Sequence, residues 1–419
     1  MLTLLAIVLT AILPPDSTWR DHRRAARAAA EAKNYTALHE QLLVLLDSLS
    51  GNPGVVYNLA ATEARLGQAD GALKWLRRYA AMGMALDPTA DSDFASLRGT
   101  PAFDSVTARI AANRRPVSRA SAHRSLPADG LITEDVAYDP QSKRLFVSSV
   151  RQRKVLVIDA SGATSEFLKS GQDSLWGVFA LAVDPGRHRL WVTTAALPQS
   201  VGVDTSQYGR SGVRAYDLRS GTRVARIDLP IDKASHALGD MTLMPNGDAL
   251  ISDGLTGTLY RARAGATALE TVVDTGVLAS PQTPAMASDG RSAYVADYTR
   301  GLAMVDLASH RVRWLSHPDE CAMAGIDGLT RVGRDLIAVQ NGTTPIRIER
   351  FTLTPDGRSI AACETLEQET PGLGEPTHGV MVDGNYLFIV NSGWGRLDDD
   401  GQLRADAPPD APAIWKLRP

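Results

Sequence analysis

Along the first hundred residues the apolar positions return every three to four residues, the period of a helix with one buried face. The pattern predicts helices between Trp19 and about Ile110, rich in Ala and Leu. Within NPGVVYNLAATEARLGQADGALKWLRRYAAMGMALDP, Pro53 stands at a helix start, and Tyr57, Leu59, Ala60 and Ala64 supply one apolar face. Leu66-Gly67 ends that helix, Ala72, Leu73, Leu76 and Tyr79 form the face of the next, and Pro88 closes the pair. A degenerate copy precedes it, with Tyr35 at its turn, and a trailing helix is predicted over Pro101–Ala112. The basic, Ser-containing stretch ANRRPVSRASAHRS, from Ala112 to Ser125, is where the period changes.

From Gly130 onward apolar and polar residues alternate, and a self-similar unit recurs: a short strand, a D/P/G turn, and further strands. The copies are VAYDPQSKRLFVSS from Val136, LAVDPGRHRLWVTT from Leu181, MTLMPNGDALISDG from Met241, PAMASDGRSAYVAD from Pro284, LTRVGRDLIAVQNG from Leu329 and VMVDGNYLFIVNS from Val380. Their starts lie about 43 to 60 residues apart, the longest gap holding the insertion ALPQSVGVDTSQYGRSG. Six four-stranded units predict a six-bladed β-propeller, without the Gly-His and Trp-Asp marks of the WD40 class. A strand near Ala120–Leu126 is expected to complete the last blade, so that no sheet edge is left exposed. The expected organisation is a multidomain chain, α then all-β: residues 17–112 helical, 113–130 linker and closing strand, 131–419 propeller.

Ahead of these units lies MLTLLAIVLTAILPP, apolar from Leu2 to Leu13 and uncharged until Asp16. It is too short to span a bilayer but suits the core of a secretory signal, although basic residues before it and a clean A-x-A site after it are missing. Residues 1–16 are therefore expected to be a signal peptide or weak anchor, the protein to be exported to a periplasmic or extracellular space, and no stable membrane span to be present. Apolar residues at 44% and charged residues at 22% describe an ordinary globular protein. A net charge of −3, from 44 basic and 47 acidic residues, excludes the concentrated basic surface that nucleic-acid binding requires. Cys321 and Cys363 lack zinc-type spacing; two separate buried thiols are the plainer expectation, and one disulfide is the alternative that export permits.

In a propeller the first strand of each blade lines the central channel, so residues just ahead of it crowd one mouth. Two places ahead of the six starts stand Glu134, Phe179, Gly239, Gln282, Asp327 and His378. Asp135 follows Glu134 and Asp240 follows Gly239, while His236 lies just upstream of Gly239 and Glu375 just upstream of His378. Two carboxylates, an amide oxygen and an imidazole converging from different blades suit a divalent cation. The plain alternative for each acid is a capped turn, and for His236 and His378 a structural hydrogen bond. Asp398-Asp399-Asp400 lacks the spaced pattern of a calcium loop and reads as a solvated turn.

ITEDVAYDP, HALGDMTLMPNGDALISD, SDGRSAYVADYTRGLAMVDL and GIDGLT, in blades one, three, four and five, make Ile132–Leu417 resemble the regucalcin/gluconolactonase family of propellers. That resemblance implies a divalent metal ion (calcium, zinc, manganese or magnesium) at the channel mouth. Glu134 and Asp327 match two of the family's ligand positions, and Gln282 stands where the family has Asn. The family's substrate-binding Asn of blade three is Gly239 here, beside Asp240. The implied activity is hydrolysis of a small-molecule lactone or ester, with Asp327 or Asp240 as general base and His236, His378, Glu375 and Trp176 at the substrate. The helical pairs resemble tetratricopeptide repeats, whose role would be either a groove for a protein partner or packing against the next domain. The rival reading is a non-catalytic propeller that binds a ligand or serves as a scaffold while the repeats dock that partner. No Ser-His-Asp elbow, phosphate-cradling glycine loop or dinucleotide fingerprint is present.

Overall fold

Side-chain caps set the helices of the first unit. Asn34 accepts from the Ala37 N–H, Asn52 from the Gly54 N–H with Pro53 following it, and Thr100 from the Phe103 N–H with Pro101 following it. The structure, a computed structural model, describes residues 18–49, 51–128, 130–398, 400–404 and 411–419. The apolar leader at 1–16 and the middle residue of the Asp398–Asp400 turn lie outside the described residues. Among those described, five α-helices run in sequence: Trp19–Glu31, Tyr35–Ser48, Pro53–Arg65, Ala69–Ala81 and Pro101–Ala112, each packed on the next. Their core is centred on fully buried Val56, Ala60, Leu76 and Phe94, with Tyr57 edge-on to both Tyr79 and Phe94 at 5.2 and 5.5 Å between ring centroids. Residues Asp319–Met323 belong to this unit although blade strands flank them in sequence. There Ala322 joins the core, Asp319 pairs with Arg78 at 2.8 Å, and the Met323 N–H donates to the Gly51 carbonyl.

The second unit holds Arg115–Pro318 and Ala324–Pro419 and forms six four-stranded antiparallel sheets. Blade one is Val136–Asp139, Arg144–Ser149, Lys154–Ile158 and Thr164–Leu168, and blades two to five repeat that order. Blade six takes Gly379–Val382, Asn385–Val390 and Ala413–Leu417, and its outermost strand is Ser121–Ser125 from ahead of blade one. First strands of successive blades touch all the way round, blade six against blade one, so the ring is closed about a channel. The acids of the inner hairpins hold their turns, as where Asp139 accepts from the Gln141 N–H and Asp184 from the Arg187 N–H.

Alternating apolar residues fill the spaces between blades. Phe146 is fully buried between blades one and two, edge-on to Phe167 at 4.9 Å and capped by the Arg144 guanidinium at 5.1 Å. Both cysteines are disulfide-bonded, which corrects the expectation of two separate buried thiols. That expectation needed two buried small hydrophobes, and Cys363 sits on a partly exposed strand. Among the described residues no helix is long and apolar enough to cross a membrane. Phe146→Ala should lower the unfolding free energy by about 3–5 kcal/mol, read from urea denaturation of the propeller signal.

Candidate functional site

Strand register fixes which residues share a level in the channel. Val136 pairs with Val147, Leu181 with Val192, Met241 with Ile251, Pro284 with Val295, Leu329 with Ala338 and Gly379 with Phe388. Two residues ahead of that level lies an outer row of Glu134, Phe179, Gly239, Gln282, Asp327 and Thr377. One residue ahead lies an inner row of Asp135, Ala180, Asp240, Thr283, Gly328 and His378. Aligning sequence copies puts His378 in the outer row; the structure puts it one step deeper, because Gly379 rather than Val380 takes the reference level. Gly328 makes room for it: a Cβ there would come within 3.0 Å of the Thr377 carbonyl and 3.3 Å of the His378 Cα.

The inner row is organised by His378. Its Nε2 lies 2.7 Å from Asp240 Oδ1 and 3.7 Å from Asp327 Oδ1, and its Nδ1 lies 3.9 Å from Asp135 Oδ1. The Thr283 hydroxyl bridges the rows, 2.8 Å from Asp240 Oδ1 and 2.9 Å from the Asp327 carbonyl. Burial alone would favour a neutral ring, but attraction and hydrogen bonding from Asp240 and Asp327 outweigh it and hold the imidazole pKa well above its ordinary value. Asp135 is tied down by the Leu181 and Val136 N–H groups at 2.8 Å each. Burial nevertheless lifts it to about 6, against the downward pull of His378 and those donors.

In the outer row Glu134 and Asp327 face one another across blades one and five. One oxygen of each carboxylate is already held from behind: the Trp394 indole N–H donates to Glu134 Oε2, and the Asn341 amide donates to Asp327 Oδ2 at 2.6 Å. Asn341 is positioned in turn by the Tyr298 hydroxyl at 3.1 Å. Burial first, and then the Asp327 charge, drives the Glu134 pKa well above the carboxylate range. Ligand atoms of Glu134, Asp327 and His378 all lie within 4.8 Å of one another. This donor set fits a divalent cation. It offers two carboxyl groups with outer partners that orient them, one of them with a pKa raised by burial and by the neighbouring Asp327 charge, which a cation would lower. An imidazole bound to a cation would give up the proton it now shares with Asp240.

The remaining sequence-predicted residues take other places. Gln282 turns its amide nitrogen onto the Ser280 hydroxyl and carbonyl, at 3.0 and 3.3 Å. Glu375 accepts the Gly395 N–H at 3.2 Å and stands near enough to Asp327 that burial and that charge both raise its pKa. His236 is bonded through Nδ1 to buried Asp253 at 2.6 Å and through Nε2 to Asp232 at 3.3 Å, away from both rows. Trp176 is buried in blade two, donating to Gln207 at 2.8 Å with the Arg214 guanidinium 5.7 Å from its ring. Sequence reasoning missed Trp394, Asn341 and Thr283. Thr283 was readable, since it occupies the level of Asp135 and Asp240, and Asn341 directly follows a second strand. Trp394 comes from a loop after the blade-six second strand, outside the repeated strands.

Along the first strands the channel is a cavity of about 430 Å³ whose lining includes Asp135, Thr283, Thr330, Arg331 and His378. No protein-family model matches the sequence, and no curated protein matches it. Solved structures that it resembles include virginiamycin B lyase from Staphylococcus aureus, at 14% identity, TM-score 0.49, and 72% of this chain over 99% of that one. A gluconolactonase from Xanthomonas campestris gives 13% identity, TM-score 0.47, and coverage of 74% and 92%. The PQQ-bound aldose sugar dehydrogenase of Streptomyces coelicolor gives 14%, 0.48, and coverage of 73% and 99%. At such identities these likenesses say nothing about chemistry.

Asp240→Asn should lower the His378 pKa, visible as an earlier titration of its ring resonances by NMR. A raised folded pKa stabilises the fold fully below the unfolded histidine value and loses that contribution as pH rises through the folded value. In the variant that loss should be complete at lower pH.

Proposed function

We propose that the channel mouth hydrolyses a small-molecule lactone or ester and holds a divalent cation on Glu134 and Asp327, with His378 beside them. The convergence of these three side chains, each carboxylate oriented from behind, is the observation that supports this reading. A cation at such a site supplies Lewis-acid polarisation of the carbonyl. The chain's own groups handle the protons. Asp327 Oδ1, the oxygen not held by Asn341, accepts a proton from water as the water oxygen bonds to the carbonyl carbon. His378 Nε2 gives a proton to the leaving oxygen as the ring or ester C–O bond breaks, yielding an acid and an alcohol. Asp240 keeps that imidazole charged and aimed, and Thr283 fixes Asp240.

The 2.7 Å pairing of His378 with Asp240 also supports a second reading, in which the ion pair is a resting structural contact and the mouth binds its ligand without turnover. For the helical unit the corresponding proposal is a protein-docking role. A cavity of about 310 Å³ lined by Lys74, Trp75, Arg78 and Glu320 is the feature that supports it. Export is likewise proposed, supported by the disulfide-bonded cysteines, which suit an oxidising compartment.

Calorimetric titration with calcium, manganese, zinc and magnesium should show uptake that Glu134→Gln and Asp327→Asn each weaken by roughly tenfold or more. On a lactone and ester panel, Asp327→Asn should lower kcat/KM by about a hundredfold. Turnover that survives in Asp327→Asn at wild-type rate would end the assignment of Asp327 as the base, and no turnover of any lactone or ester would end the hydrolase assignment. Ligand binding without turnover would favour the second reading.

A further inference from the structure

We infer that the ligand of the channel mouth is amphipathic: its reacting group meets Glu134 and Asp327, and an alkyl or aryl substituent lies along Phe179 and Trp394 and fills the space at Gly239. The identity of the reacting group rests on the hydrolase reading; the apolar wall does not.

The outer row is divided. Next to Glu134, in blade two, the equivalent level carries Phe179, whose ring stands 6.2 Å from that of Trp394 at an interplanar angle of 30°. Behind them Ile132, Val150 and Ala195 are fully buried, while Leu197, Ala237 and Leu397 pack around them and stay partly open to solvent. Trp394 spends its indole N–H on Glu134, so its ring presents an apolar body to the mouth. Phe179 keeps 7% of its surface open and Trp394 is partly exposed, and an apolar surface beside a few oriented polar groups is the usual make-up of a small-molecule pocket.

At Gly239 the row has a gap. An added Cβ would meet nothing closer than the Ala237 carbonyl at 4.0 Å, and the backbone there lies outside the left-handed region, so a side chain could be accommodated without strain. The gap adjoins the Phe179 blade on one side and Asp240 in its own strand on the other.

The amide nitrogens of the mouth are committed to the protein. Gln282 donates to Ser280, and Asn341 donates to Asp327 and the Pro376 carbonyl while accepting from Tyr298. A polyhydroxylated ring would bring hydroxyls to the Phe179–Trp394 side, whose rings cannot bond them, and each unpaired group weakens binding. An alkyl or aryl substituent loses nothing there and removes the wall from water.

The test compares full-length protein on matched lactones: unsubstituted, alkyl- or phenyl-substituted, and polyhydroxylated. The substituted lactones should exceed the polyhydroxylated ones by roughly tenfold or more in kcat/KM. Gly239→Leu should cut the preference for substituted over unsubstituted lactone by roughly tenfold, mainly through KM, and Gly239→Ala should fall between. Equal or better turnover of the polyhydroxylated lactones would overturn the inference and leave the hydrolase reading intact. If no lactone or ester is turned over, the hydrolase reading fails, and a non-hydrolysable phenyl-substituted lactam decides the matter by tryptophan-fluorescence titration. Binding to wild type that Gly239→Leu weakens tenfold would support the apolar wall; no binding, or equal binding to the variant, would overturn it.

Discussion

Four carboxyl groups, Glu134, Asp135, Asp240 and Asp327, are drawn toward one axis around the imidazole of His378, and that shortage of positive charge organises the mouth. Removing an ion from water costs several kcal/mol even in a relaxed protein interior, so each carboxyl needs its own relief. Asp240 takes the closest contact with His378, Asp135 takes two backbone N–H groups, and Asp327 takes the Asn341 amide. Glu134 is left with an indole N–H, and burial together with the neighbouring Asp327 charge raises its pKa well above the carboxylate range. The strongest reason to expect a cation here is therefore electrostatic, and the arrangement of ligand atoms agrees with it.

The architecture was legible because it is written six times. Alternation gives strands, the D/P/G turns give hairpins, and repetition gives the ring; no single copy would have been persuasive. The same repetition exposed Glu134 and Asp327 as equivalent positions. It misplaced His378 because a strand's side chains change level with each residue, so one residue of misalignment in blade six moves an imidazole from one row to the next. Trp394 was beyond reach for a different reason: it arrives on a loop outside the repeated strands, where alignment of the copies gives no position to compare. Gln282 shows the limit of reading chemistry from position alone, since its longer side chain reaches a local partner, Ser280.

GIDGLT shows how a repeat can be modified without being broken. Asp327 supplies charge, and Gly328, by lacking a side chain, lets the backbone at Thr377 and His378 approach. A larger residue at 328 would force that backbone away and with it the imidazole. The acid and the glycine therefore act as a unit, one furnishing the charge and the other admitting its counter-ion.

Blade six has a further consequence, for the order of assembly. Ser121–Ser125 precedes every other blade strand in the chain, yet its partner Ala413–Leu417 comes at the far end. During synthesis the first of these strands leaves the ribosome early and remains an unpaired edge until the last residues follow. Blades one to five are each built from consecutive strands and can form as they emerge. The ring must wait, because closure requires one of the most sequence-remote pairings in the protein, and remote pairings are slow to form. His378 belongs to that last blade, so the acids of blades one, three and five meet their counter-ion only when the circle is complete.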